Sequence, residues 1–148
     1  MDEALDRRVR LFVFERAAET GTVPVLEEIA AGVGASPGAV AASLQRLAAG
    51  KVIALAPATT NIWMAHPFSA VPTDFRVEAR GRTYFGNCIW DGLGVLALLD
   101  ADGTLQTHCP DCAEPLRLTV RDRRLADEAG VIHFAVPAAR WWDNIGFT

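Results

Sequence analysis

From Ala4 to Thr20, apolar residues recur at Leu5, Val9, Phe12, Val13 and Ala17 with charges on the opposite side, a spacing that predicts an amphipathic helix. Gly21 ends it, because glycine takes up the left-handed conformation past a helix C-terminus without steric cost. Leu26, Ile29, Ala30 and Val33 form a second stripe, within Val25 to Gly34. Ser36-Pro37 opens a third helix, serine as N-cap and proline in the first helical position. Val40, Leu44 and Leu47 continue that helix to Gly50. Lys51 to Pro57 and Asn61 to Ala65 predict two short strands. The two prolines of His66 to Thr73 predict an extended connector. Phe75, Val77 and Ala79 alternate with Arg76 and Glu78, the pattern of a half-buried strand, and Arg80-Gly81-Arg82 follows as a turn. An apolar helix is expected from about Ile89 to Leu99, ending near Asp100 to Gly103. Thr104 to His108, Leu116 to Arg121 and Val131 to Val136 are expected as strands, and Pro137 to Phe147 is short and rich in aromatics.

These elements predict an α+β fold, with an N-terminal three-helix module packed on a mixed α/β unit. Three helices with a short turn before the third, then two short strands, resemble a winged helix-turn-helix module over residues 1–65. Residues 66–82 are expected as linker and first strand, and 83–148 as a second unit that carries the chemistry. A DNA-reading third helix should be basic and polar. Here Gln45 and Arg46 are its long polar side chains among many alanines. Between Met1 and Gly50, Arg7, Arg8, Arg10, Arg16 and Arg46 face a larger set of acids: Asp2, Glu3, Asp6, Glu15, Glu19, Glu27 and Glu28. The acidic balance opposes phosphate contact, so the module is expected as a structural half and not as a DNA reader.

The chain has 148 residues, enough to bury a substantial core, and its 51% hydrophobic and 22% charged content excludes a disordered chain. A net charge of -4 opposes non-specific attraction to nucleic acid or to anionic membrane. No apolar run approaches a membrane span, and the N-terminus is charged where a secretory signal would be apolar. Three cysteines cannot form a complete set of intrachain disulfides, and without a secretory signal the expected location is the reducing cytoplasm.

Candidate chemistry centres on Asn87-Cys88-Ile89-Trp90-Asp91-Gly92. In a helix, positions i and i+3 share a face, so the Cys88 thiol and the Asp91 carboxyl would converge. A thiol is a soft ligand, and a carboxyl can relay a proton. The structural alternative is a buried cysteine beside a helix-start aspartate. Cys109 and Cys112, preceded by His108, form a C-x-x-C loop that supplies half of a tetrahedral zinc site and has no second pair to complete it. The expectation is a plain loop with one buried and one exposed thiol. His66 and His133 sit beside apolar residues and are expected as satisfied structural histidines. Trp141-Trp142 is expected to pack over a core edge, with no ligand role.

Asn87 to Gly94, preceded by His66-Pro67-Phe68-Ser69-Ala70-Val71-Pro72, resembles the alkylmercury lyase (organomercurial lyase) family. The Cys109 to Pro115 loop and the ending from Trp141 to Thr148 are similar to that family too. The resemblance implies cleavage of a carbon–mercury bond by proton transfer, using two cysteines and one aspartate. The first cysteine falls on Cys88 and the aspartate on Asp91, which would also be the metal-contacting residues. The second catalytic cysteine is expected shortly after the Trp-Trp-Asp to Phe-Thr segment, beyond Thr148. Cys109 matches a structural cysteine of the family, and Cys112 is a candidate substitute for the second thiol.

The same resemblance implies no organic cofactor and mercury(II) held by sulfur as the product. The implied partners are an organomercurial substrate and a thiol acceptor or mercuric reductase that removes the metal, within a mercury-resistance role. Two other functions stay open. One is a non-catalytic carrier of a soft metal, mercury or copper, on the same fold. The other is a metal-responsive winged-helix regulator, which the acidic N-terminal half opposes.

Overall fold

A computed structural model describes residues 2–126 and 130–147. Helix α1 (Glu3–Thr20) is capped by Asp2, whose carboxylate accepts the Leu5 N–H, and it ends on Gly21 in the left-handed conformation. Helix α2 (Leu26–Val33) starts where the Glu28 carboxylate accepts the Val25 N–H, and it ends on left-handed Gly34. Helix α3 (Pro37–Ala49) has Ser36 as its N-cap, as its sequence predicts. Leu5, Val9, Val13 and Ala17 of α1 are buried against Val40, Leu44 and Leu47 of α3 and against Ile29 of α2.

Two antiparallel sheets follow. The first joins β1 (Ala54–Leu55), β2 (Ile62–Ala65) and β3 (Phe68–Ser69) in that order. The second contains β4 (Arg76–Ala79), β5 (Arg82–Phe85), β6 (Gly103–His108), β7 (Pro115–Arg121) and β8 (Arg124–Leu125), in the order β5-β4-β6-β7-β8. A bridge between Phe68 and Gly86 joins the edges of the two sheets. Helix α4 (Ile89–Leu99) lies across the second sheet and buries Val95, Leu96 and Leu99 against β4 and β6.

One hydrophobic core runs from α1 through the sheets to α4. Tyr84 of β5 sits at its centre, fully buried, and its hydroxyl donates to the Ala18 carbonyl of α1 at 2.9 Å. Burying the ring is favourable only because the hydroxyl finds that acceptor; an orphaned one would cost about 1–3 kcal/mol. Tyr84 thereby clamps the helical module to the larger sheet.

Three features differ from the sequence expectation. The connector at His66 to Thr73 contains β3, because Phe68 and Ser69 turn back to pair with β2. The turn at Arg80-Gly81-Arg82 is the tip of a hairpin whose second arm is β5, and its Thr83-Tyr84-Phe85 lacks clean alternation. Val131 to Val136 is not a strand. Among the described residues it pairs with no sheet edge, and it lays Phe134 against Trp90 and Trp141, so its alternation marks one side turned to aromatic neighbours.

Asp6 ties α1 to α3. Its carboxylate accepts from Arg46 through Nε at 2.8 Å and Nη2 at 2.6 Å, and from the Ser43 hydroxyl at 2.6 Å. The Arg46 hydrogen bond holds Asp6 below the usual carboxylate value, outweighing a smaller opposing effect of burial. With the folded value depressed, the stabilisation is complete above the unfolded value and is lost as pH falls through the folded one. Asp6→Asn is expected to lower Tm near pH 7 by about 2–4 °C, the shift that ~1 kcal/mol produces at this chain length. Near pH 2 the variant and wild type should melt together, as thermal unfolding followed by circular dichroism will show.

Candidate active site

The chain leaves β5 at Phe85, passes Gly86 and Asn87, and enters α4 with Cys88 as its N-cap in an extended conformation. Gly86 is required by crowding: a Cβ there would lie 2.5 Å from the Gly92 nitrogen. Gly92 is required in turn, since its Cβ would meet a Leu105 methyl at 2.7 Å. The first turn of α4 is therefore pressed onto the end of β5 and onto β6.

Cys88 and Asp91 meet by capping, and not by sharing a helix face. The Cys88 sulfur accepts the Asp91 N–H at 3.5 Å, the position usually filled by a serine or aspartate oxygen. Asp91 stands in the first turn, where the helix dipole favours a negative charge. Its Oδ2 accepts from Asn87 Nδ2 at 2.9 Å and lies 3.4 Å from His66 Nδ1. The Asp91 side chain is 15% exposed.

His66, expected as a structural histidine, is thus a site residue. It sits at the end of β2, its Nε2 is buried without a hydrogen-bond partner among the described residues, and its ring meets the edge of Trp142. The sequence signal lay in the His66-Pro67 junction, which turns β2 into β3, but nothing in the linear order placed it beside Asp91. His133 is exposed, which corrects the expectation of a satisfied interior histidine.

Cys88, Asp91, Asn87 and His66 line one open cavity of about 500 Å³. Trp90, Phe134, Trp141, Trp142 and Phe147 form its apolar side, with Trp90 57% and Phe147 72% exposed. Trp141 is anchored through its indole N–H to the Val136 carbonyl at 2.8 Å. The tandem tryptophans therefore face the cavity and do not merely cover a core edge. Neither Cys109 nor Cys112 reaches it, and Cys88 is its one cysteine among the described residues. No group of three potential metal-ligating side chains occurs among the described residues. Such a cavity suits a soft, thiol-seeking group with an apolar substituent, with a carboxyl beside it to move a proton.

Burial pushes the Cys88 thiol up, the Asp91 charge adds to this, and N–H groups of Asp91 and Trp90 oppose it. The thiol is therefore a weaker acid than a free cysteine. Asp91→Asn removes one of the raising influences. It is expected to increase the rate of Cys88 alkylation by iodoacetamide at pH 7.5 several-fold and to move the pH–rate midpoint down. Peptide mass spectrometry resolves Cys88 from the other two thiols. An unchanged midpoint would mean that the Asp91 charge does not reach the sulfur.

No curated protein matches the chain. Among solved structures it resembles the crystal structure of the mercury-bound form of MerB2, with a TM-score of 0.65 and 24% identity over 86% of this chain. The chain spans 60% of the length of that structure, and the likeness extends to the fold. A profile of the family described as MerB, alkylmercury lyase, matches residues 68–148, more than half of the chain and including the whole Cys88–Asp91 turn. The chain belongs to the alkylmercury lyase family.

Proposed function

We propose that the protein cleaves carbon–mercury bonds by protonolysis, releasing a hydrocarbon and leaving mercury(II) on sulfur. The observation that carries this reading is that the Cys88 thiol and the Asp91 carboxyl share one aromatic-sided cavity at the start of α4. Mercury is soft and binds thiolate in preference to oxygen. As Cys88 bonds to the metal of an organomercurial, it displaces the ligand opposite carbon, a small thiolate or halide that leaves as its anion, and the thiol proton passes to the adjacent Asp91 carboxylate. Sulfur donation weakens the metal–carbon bond. Asp91 then returns that proton to carbon, the carbon–mercury electron pair forms the new C–H bond, and mercury(II) remains on Cys88. Asn87 and His66 hold the carboxylate in place during both transfers. Trp90, Phe134 and Trp142 supply apolar surface for the organic group. A small thiol or a reductase partner takes the metal away, and no organic cofactor enters. We place this chemistry in the cytoplasm as part of mercury resistance. Among the described residues no helix is long and apolar enough to cross a membrane.

A second reading, a soft-metal carrier without turnover, is favoured by one observation: Cys88 is the single cysteine of the described cavity lining. Family chemistry uses two thiolates, so the second must come from outside that lining. An assay with phenylmercury acetate and excess small thiol separates the two readings. Benzene release by wild type is expected, abolished by Cys88→Ser and lowered about 10²-fold or more by Asp91→Ala. One mercury bound per Cys88 with no benzene formed would establish the carrier.

A further inference from the structure

Cys109 and Cys112 lie outside the cavity, at the tip of the β6–β7 hairpin. That hairpin is registered to its last pair, His108 with Pro115. Beyond it the Cys109 N–H donates to the Glu114 carbonyl and the Ala113 N–H to the Cys109 carbonyl, both at 2.8 Å, with Ala113 left-handed. This compact loop closes around the C-x-x-C and holds Cys112 beside Cys109, three residues on in the same turn. Two thiols are therefore adjacent, one half-buried and one exposed.

The donor set selects the ion. Zinc in a structural site takes four ligands, and no third histidine, cysteine or carboxylate joins this pair among the described residues. Two sulfurs alone satisfy a soft ion that is content with two-fold coordination, and mercury(II) is the extreme case. The location also fits. Strands β5 and β6 run in the same direction, with Phe85 and Gln106 both paired to Arg76 of β4. The chain thus leaves the sheet toward Cys88 and toward Cys109 at the same end.

We propose that Cys109 and Cys112 form a second, two-coordinate site for a thiol-seeking cation, mercury(II) as the test ion, separate from Cys88. Loading is ligand exchange. A mercury(II) bis-thiolate loses two Hg–S bonds and gains two, the protons of Cys109 and Cys112 pass to the released thiolates, and nothing is oxidised. The assignment does not depend on carbon–mercury cleavage.

The reduced full-length chain, titrated with mercuric chloride against excess glutathione, tests it by native mass spectrometry and thiolate-to-mercury absorption. Cys88→Ser should retain one mercury per monomer. Adding either Cys109→Ser or Cys112→Ser to it should weaken retention by about 10²-fold, the loss of an intramolecular second ligand. Equal retention by Cys88→Ser and by the variant that also carries Cys112→Ser would overturn the proposal. So would mercury found on Cys88→Ser only as a bridge between two chains. Because no organomercurial is used, failure here leaves the lyase reading to its own assay.

Discussion

The first turn of α4 is pressed between the backbone of Gly86 and the side chain of Leu105 so closely that neither Gly86 nor Gly92 could carry a Cβ without displacing a neighbour. Neither glycine needs an unusual backbone angle, so the constraint is close approach alone. It fixes where the helix begins relative to the sheet, and hence where Cys88 and Asp91 stand. The Thr73 hydroxyl adds to it by donating to the Gly86 carbonyl. Leu105 and Tyr84 are both fully buried, so the turn rests on the part of the core that also anchors α1. The helical module thereby contributes to site geometry without lining it, except through Lys51 and Val52 just beyond α3.

Two opposed demands meet at Cys88. Burial and the neighbouring Asp91 disfavour ionisation of the sulfur, while the helix N-terminus offers N–H groups that a thiolate would accept. A protein thiol in this balance is quiet toward hard electrophiles and loses its proton when a soft metal replaces it. The proton then has a nearby destination, because Asn87 and His66 hold one carboxylate oxygen of Asp91 in the same small volume.

Much of the fold was legible in the sequence because its helices carry strong local signals. Gly21, Gly34 and Ser36-Pro37 mark helix ends that the structure reproduces, and Ile89–Leu99 has the boundaries its apolar run suggests, whereas the Asp2 cap emerged only from the structure. The short strands β3, β5 and β8 were not legible, since their definition comes from partners distant in sequence and not from their own pattern. At the site, Cys88 and Asp91 stood out as a thiol and a carboxyl at close spacing. His66 did not, because 25 residues separate it from Asp91 and only the packing of β3 beside β5 closes that gap. Phe134 and the tandem tryptophans were visible as aromatics, yet their inward aim is set by tertiary packing: Phe134 alternates on a segment that is not a strand, and Trp141 and Trp142 sit on a short 3-10 helix, Ala138–Asp143.

The aromatic side of the cavity has an optical consequence. Of the four tryptophans in the chain, Trp90, Trp141 and Trp142 line the space into which the Cys88 sulfur opens. A heavy ion held there would sit among these indoles and drain their excited singlets by spin–orbit coupling. The intrinsic fluorescence of the protein is thus a built-in gauge of cavity occupancy. Metal held at the hairpin tip, outside that lining, would dim it less.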